Sequence, residues 1–549
     1  MFGLKIAILL IVSSIQFWSV TRGIIVTTPL GRIRGTTFQY NGTTVYKFLG
    51  IPYAKPPVQD LMLEKPIPIG PWHGTLNATT YGSACVQRGS SSHKNPVKSL
   101  DCLYLNVYVP RSLTEIKPVM IFIHGGSYMF GDGSMYDGTA LAANGNVTVV
   151  VINYRLDAYG FLSTMDNEIP GNYGLWDQRQ AMIWVKENIQ NFAGDNASLT
   201  MFGESAGAYS TGAHMLSTHN VGLFHRVISE SGVAVSPIGM TYDPIYYSRK
   251  ISDYLGCTQF NASGGWDTKA FKQCFKSKDP SLVLDASIKA GDYGVLAYRR
   301  IIGPVVDGDF LLDFPRNVLD RDDVPFKNID LMVGTNAQEG SLTVGPLQAY
   351  VKQYNISLPK GVPRQIFKDH IALAIARDYY NDSFDQVLDN ITNTYMYSFD
   401  GISDFDQAVK MVEMYGDFIL QAPTVETVEY HTKLTKMKKT YQYYFTHKPV
   451  KRHSLPWLQG ANHADELEYV FGPPLKGISD EKIHFSRLVM KYWSNFARYG
   501  NPNGEGPDQW PKSNQYTKPY FLLDFNQAAY TKLLRRRVTF WKNLGTQST

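Results

Sequence analysis

Leu199-Thr200-Met201-Phe202-Gly203-Glu204-Ser205-Ala206-Gly207 is the stretch on which the fold of this chain turns. Four residues of strand character run into Gly203, and Ala206 to Leu216 has the composition of a helix leaving it. A Gly-x-Ser-x-Gly segment between a strand and a helix describes a nucleophile elbow. The serine sits on a sharp turn, and the flanking glycines let crowded backbone close in around it. The three fixed residues alone are a weak signal; the strand-turn-helix setting gives them content.

Working outward from the elbow, apolar strand-like runs occur at Val119 to Ile123, Val147 to Asn153, Arg226 to Ser229, Ile329 to Val333, Tyr441 to Phe445 and Phe521 to Phe525. Helical patterns lie between several of them. Leu175 to Phe192 is one; Lys482 to Tyr499 is another, stopped by Gly500 with Pro502 beyond it. Val- and Ile-rich strands alternating with helices predict an α/β fold, a central and mainly parallel sheet covered on both faces, with the elbow at the carboxyl end of a central strand. No repeat or Pro/Ser-rich linker divides the 549 residues. A single domain over 23–549 with long insertions is therefore expected.

Bulk properties narrow the classes of function. A hydrophobic fraction of 44% supports a large core. The 53 basic residues barely outnumber the 48 acidic ones, and Lys436 to Lys439 and Arg535 to Arg537 read as solvated surface, so nucleic acid is not an expected partner. Residues 1–22 combine a Lys5 start, an apolar centre and small or polar residues near Ser19, the pattern of a secretory signal. No later run suits a spanning helix or lipid-anchor tail, so no transmembrane anchor is expected. The four cysteines form two local pairs, Cys85 near Cys102 and Cys257 near Cys274. Three connectivities are open, and closing neighbours would constrain the unfolded chain by about 3 kcal/mol per bridge. Sequons at Asn41, Asn77, Asn146, Asn196, Asn261, Asn355, Asn381 and Asn390 fit an exported glycoprotein, with Asn146 placed too close to a buried strand for easy glycan addition.

A serine hydroxyl is a poor nucleophile near neutral pH, so Ser205 needs a base to take its proton and a third group to orient that base. In α/β-hydrolases the order is Ser, then Asp or Glu, then His. After Ser205 the best-placed acid is Glu339, just past the strand Ile329 to Val333; position leaves it undecided between that role and an exposed loop glutamate. Six histidines follow: His370, His431, His447, His453, His463 and His484. His463 stands out in the polar loop Gly460 to Glu466, with His447 and His453 competing by position. His124-Gly125-Gly126-Ser127 follows a strand directly and suits a loop of oxyanion N–H donors, a plain glycine turn being the alternative. Ala206 N–H would add a donor.

Phe48 to Pro57, Asp101 to Val107, Asn153 to Arg155, Gly171 to Arg179, Gly203 to Gly207, Ser231 to Ala234, Glu339-Gly340 and Gly460 to Phe471 together resemble the type-B carboxylesterase family over nearly the whole mature length. The resemblance implies an α/β-hydrolase fold and a catalytic set of Ser205, Glu339 and His463. It implies oxyanion donors on Gly126, Ser127 and Ala206, with Gly125 shaping the loop, and disulfides Cys85–Cys102 and Cys257–Cys274. It implies no cofactor, and no metal cluster is visible. The expected partner is a small-molecule or lipid ester; oligomeric state stays unread.

Departures from the family pattern bear on substrate. Where many relatives pair an arginine with a glutamate beneath the first disulfide loop, this chain has Met62 and Leu100, an apolar contact instead of an ion pair. Asp157 replaces a small residue. The Cys85–Cys102 segment lacks the tryptophan with which choline-binding members hold a cation. Ile238 stands where some relatives have a large aromatic, which predicts a less restricted acyl pocket. The segment Gly460 to Phe471 is similar to digestive bile-salt-activated-type lipases and to general carboxylesterases, and a glutamate as acid favours the latter. The expected function is thus a secreted serine carboxylic ester hydrolase working through an acyl-enzyme. The alternatives are a digestive-type lipase or cholesteryl esterase and, in another class, a non-catalytic adhesion or ligand-binding relative.

Overall fold

The computed structural model describes residues 23–545 apart from 90–96, 242, 292–299, 353–355, 381–382, 397–402, 449–454, 473–476 and 506–508. The expected signal segment, His453 and the sequons Asn355 and Asn381 lie outside the described residues. The strands in chain order are β1 (Ile24–Thr28), β2 (Gly31–Tyr40), β3 (Thr43–Pro52), β4 (Thr75–Asn77), β5 (Ala84–Cys85), β6 (Lys98–Ser99), β7 (Tyr104–Pro110), β8 (Lys117–Ile123), β9 (Thr148–Ile152), β10 (Gly194–Glu204), β11 (Arg226–Glu230), β12 (Asp330–Asn336), β13 (Thr440–Phe445), β14 (Pro519–Leu523) and β15 (Ala528–Thr531).

The main sheet runs β1-β2-β3-β7-β9-β8-β10-β11-β12-β13-β14-β15. From β9 to β14 every neighbouring pair is parallel. The flanking strands β1, β2, β3, β7 and β15 are antiparallel. The mainly parallel α/β sheet is therefore present, with an antiparallel amino-terminal extension that the apolar-run reading did not include. β2 mixes exposed and buried residues and so lacks the continuous apolar stretch that marks the central strands, whereas β7 is buried along nearly its whole length but is interrupted by Asn106. β8 and β9 are buried throughout, which requires cover on both faces. The cores on the two sides are distinct: Ile121, Ile123 and Val150 point into one, and Met120, Phe122 and Val151 into the other.

Strand ends differ from expectation by a few residues. β10 begins at Gly194 and not Leu199, and β14 ends at Leu523 and not Phe525. The long helices fall at Tyr173–Asn188, followed by a tighter turn to Phe192, and at Asp480–Tyr499, which ends on Gly500 in the left-handed conformation at φ 60°.

Both disulfides are formed between neighbours, Cys85–Cys102 and Cys257–Cys274. Met62 is buried, and Leu100 packs against the same apolar cluster. Arg155 and Asp177 form a buried two-pronged pair: Nε donates to Oδ2 and Nη2 to Oδ1, each at 2.7 Å. Of the described sequons, Asn41, Asn77 and Asn261 are exposed, whereas Asn146, Asn196 and Asn390 are half-buried. No described helix is long and apolar enough to cross a membrane.

Candidate active site

β10 delivers Ser205 at the carboxyl edge of the sheet. Its backbone takes φ 53° and ψ −120°, a strained conformation for a residue with a side chain, and the helix Ala206–Met215 starts immediately after it. The turn is held from below by Ser205 N–H, which donates to Glu230 O at 2.9 Å. The elbow glycines have no room for anything larger. A Cβ on Gly207 would lie 1.9 Å from Ile123 O, and one on Gly203 would lie 2.7 Å from Gly207 C. That close approach brings β8, the neighbour of β10, and the loop that follows it against the serine.

That loop is the His124 to Ser127 segment. A Cβ on Gly125 would sit 3.0 Å from Ser205 Cβ, so the loop passes directly beside the nucleophile candidate. Gly126 has φ 104°, and Ser127 and Tyr128 are both left-handed at φ 56° and 63°. Positive φ at three successive positions, two of them non-glycine, marks the loop as a strained turn beside Ser205. Tyr154 Oη–H donates to His124 O at 2.9 Å, and its ring stacks on the imidazole at 4.5 Å. Asp157 N–H donates to Tyr128 O at 2.7 Å. Asp157 adopts φ 51°; its carboxylate accepts from Arg88 Nε at 3.0 Å. The first disulfide loop reaches the same segment through Gln87, whose amide exchanges two 2.8 Å hydrogen bonds with the Gly131 backbone.

Glu339 lies past β12 and is fully buried, so the exposed-glutamate alternative does not hold. Its Oε1 accepts from Ser231 Oγ–H at 2.5 Å and from Asn336 N–H at 2.6 Å. Its Oε2 lies 2.6 Å from His463 Nδ1. The loop carrying His463, which follows β13, is fastened to the Glu339 loop along its backbone. Gln338 N–H donates to Ala461 O at 2.8 Å, Asn336 Nδ2 to Asn462 O at 2.7 Å, and His463 N–H to Ser341 Oγ at 2.9 Å. The far ring nitrogen, Nε2, faces the elbow: it stands 3.2 Å from Oε1 of Glu204, the residue preceding Ser205. The competing His447 instead meets Asp524, Nδ1 to Oδ1 at 2.8 Å. His431 binds Thr440 and His370 binds Tyr350.

The sequence reading missed a group of buried acids beneath the elbow: Glu204, Glu230 and Glu466 are each 3% exposed or less. Trp493 Nε1–H donates to Glu230 Oε1 at 2.8 Å, and Asn336 Nδ2 donates to Glu466 Oε2. Burial raises the Glu230 carboxyl to about 8 and pushes Glu466 well above the carboxylate range. Burial also raises Glu204, to about 7, with Glu339 adding to the rise and His463 opposing it. Burial alone would depress the His463 imidazole; the charges of Glu204 and Glu339 outweigh it and lift the ring to about 9. Glu204 was visible within the elbow pentapeptide, while Glu230 and Glu466 look in sequence like any surface glutamates.

The family model for the carboxylesterase family matches residues 22–541. The chain belongs to the carboxylesterase family. Among its relatives, a medium-chain fatty acyl-CoA hydrolase precursor of Anas platyrhynchos is 35% identical over 95% of this chain and 92% of its own length. Bile salt-activated lipase of Bos taurus is 35% identical over 89% of this chain and 80% of its own. Neuroligin-2 of Mus musculus is 32% identical over 95% and 67%. The carboxylesterase fold is the α/β-hydrolase, and the protein is a carboxylic ester hydrolase of that family.

Proposed function

We propose that Ser205 is the nucleophile of this carboxylesterase, His463 its general base and Glu339 the group that orients the base. The observation that carries this reading is the 2.6 Å contact between His463 Nδ1 and fully buried Glu339, which leaves Nε2 directed at the elbow. Glu339 accepts a hydrogen bond from Nδ1–H, so the lone pair of the neutral ring lies on Nε2, where the Ser205 hydroxyl must give up its proton. Ser205 Oγ attacks the ester carbonyl, and the oxyanion is received by the N–H groups of Gly126, Ser127 and Ala206. His463 returns its proton to the departing alcohol, leaving an acyl-enzyme. It then takes a proton from water as the water oxygen attacks the acyl carbon, and passes that proton to Ser205 Oγ as the acyl C–O bond breaks and the acid leaves. Ser127 in place of a third glycine keeps its N–H, so the donor count is preserved.

The site acts on carboxylic esters of small-molecule or lipid alcohols, with a general carboxylesterase favoured over a lipase by the glutamate acid. The fatty acyl-CoA hydrolase and lipase among the relatives make medium acyl chains the first to try. The two disulfides and the exposed sequons support a secreted product. p-Nitrophenyl acetate, butyrate and longer homologues, assayed against the Ser205→Ala variant, test the reading. Equal release by both proteins overturns it and favours a non-catalytic role like an adhesion or ligand-binding relative.

The raised imidazole gives a pH prediction. A base that is protonated works only above its own pKa, so kcat/KM rises with pH along a limb belonging to the coupled His463–Glu204 pair. Glu204→Gln removes a negative charge that holds the proton on the ring, and the limb is expected to move down by about 1 to 2 pH units. A pH–rate profile checks it; a limb that stays put or moves up contradicts it.

A further inference from the structure

Arg300 is a buried cation beside the elbow whose described acceptors are all carbonyl oxygens. It is 8% exposed. Nε donates to Ile238 O at 2.5 Å and Nη1 to Ser127 O at 3.1 Å. Its guanidinium carbon stands 5.0 Å from the Tyr128 ring centre and 5.3 Å from that of Tyr209. Among the described residues no carboxylate lies within ion-pair distance of it. A guanidinium does not shed its proton, and its fork holds more N–H donors than two carbonyls occupy. A buried charge lacking a counter-ion is unfavourable, and a stacked, pre-oriented fork suits a carboxylate.

The position of this charge matters as much as its isolation. Ser127 belongs to the loop beside Ser205. Tyr209 lies one helical turn past the nucleophile, its N–H donating to Ser205 O at 2.8 Å. Ile238 ends the segment that leaves β11 and passes the elbow, where a Cβ on Gly232 would be 2.7 Å from Ser205 O. Arg300 thus ties together the loop of Ser127 and the Ile238 segment, both of which pass beside Ser205. Its described neighbours include two tyrosine rings, the backbone of Ile238 and Ser127, and Gly303, where a Cβ would lie 2.4 Å from Arg300 Cδ; none of them carries a negative charge.

We propose that Arg300 anchors an anion subsite in the acyl pocket, so that the preferred esters carry a carboxylate on the acyl chain, as monoesters of dicarboxylic acids do. This rests on the esterase reading of Ser205. The reaction at the ester is unchanged; the acyl chain's own carboxylate pairs with the guanidinium and is released with the product acid.

The test compares two p-nitrophenyl esters of equal acyl length, the glutarate monoester and the pentanoate. Wild type is expected to favour the glutarate monoester in kcat/KM by about tenfold or more, the range of a charge-assisted hydrogen bond. Arg300→Leu should cut that ratio by about tenfold or more, and Arg300→Lys should keep much of it. Taking the ratio cancels any common loss from loosening Ser127: an equal fall on both esters assigns Arg300 to holding the loop only and overturns the subsite. A measurement needing no variant is competition with wild type by monomethyl glutarate and by methyl pentanoate. The anion should inhibit about tenfold more strongly; equal inhibition overturns the proposal. Turnover of pentanoate with no preference for the anion sinks the subsite alone, whereas turnover of neither ester sinks the esterase reading with it.

Discussion

Ser205→Ala is expected to lower kcat by about 10⁵- to 10⁶-fold while leaving the protein folded, and His463→Ala to do nearly as much. Neither change should add to the other, because in the proposed mechanism the two side chains serve one proton transfer. Once the serine is gone there is no hydroxyl for the imidazole to activate, and once the imidazole is gone the hydroxyl stays protonated. Ser205 is a half-buried residue on a strained turn, φ 53°, so losing its hydroxyl removes no buried hydrogen-bond partner that the fold depends on. Circular dichroism and the denaturant midpoint of Ser205→Ala should match wild type. Steady-state assay of both single variants and the double variant checks the non-additivity. A double variant slower than either single by a further factor of a thousand would show that the two act separately.

Asp177→Ala is expected to destabilise the domain by about 3 to 5 kcal/mol, because it leaves the Arg155 guanidinium buried without its partner. The pair has almost no solvent to fall back on, with side-chain exposures of 4% and 0%. Arg155 Nη2 also donates to Glu64 O at 2.8 Å, so its displacement would disturb the first segment of the chain as well. The site would feel the change through the segment Asn153 to Asp157, whose Tyr154 and Asp157 hold the loop from His124 to Tyr128. Replacing both partners, Arg155→Met with Asp177→Leu, should recover much of the loss, since two paired charges removed together leave no orphan. Equilibrium denaturation of the single and double variants decides it. A single variant within about 1 kcal/mol of wild type contradicts the account, as does a double variant no better than the single.

The elbow was legible because its chemistry forces a rare local pattern. Gly203 and Gly207 are required where a Cβ would strike Ile123 and the helix start, and the apolar strands around them announce a sheet buried on both faces. Chain order reached Glu339 and His463 without separating them from His447 or an ordinary surface glutamate; the family resemblance pointed to them, and the hydrogen bonds between their loops show them meeting. The buried acids Glu230 and Glu466 were not legible at all. A charged residue in a sequence suggests solvent, and only the crossing of β11, the His463 loop and the helix of Trp493 puts these carboxyls under Ser205. Arg300 escaped notice for the same reason, since its neighbours Ser127, Tyr209 and Ile238 come from three distant segments. Asp157 was noticed as a departure from the family, but its partner Arg88, 69 residues away in sequence, was visible only in three dimensions.

The central claim is that Ser205 is the nucleophile, and diethyl 4-nitrophenyl phosphate tests it most directly. Its phosphorus accepts an activated serine oxygen, 4-nitrophenolate leaves, and the serine proton passes to the base, giving a stable diethylphosphoryl ester. Mass spectrometry of the digested protein should find one such group, on Ser205, with activity lost in step with labelling and no label on the His463→Ala variant over the same time. Complete inactivation with Ser205 unmodified, or a fully labelled Ser205 with turnover intact, would contradict the account.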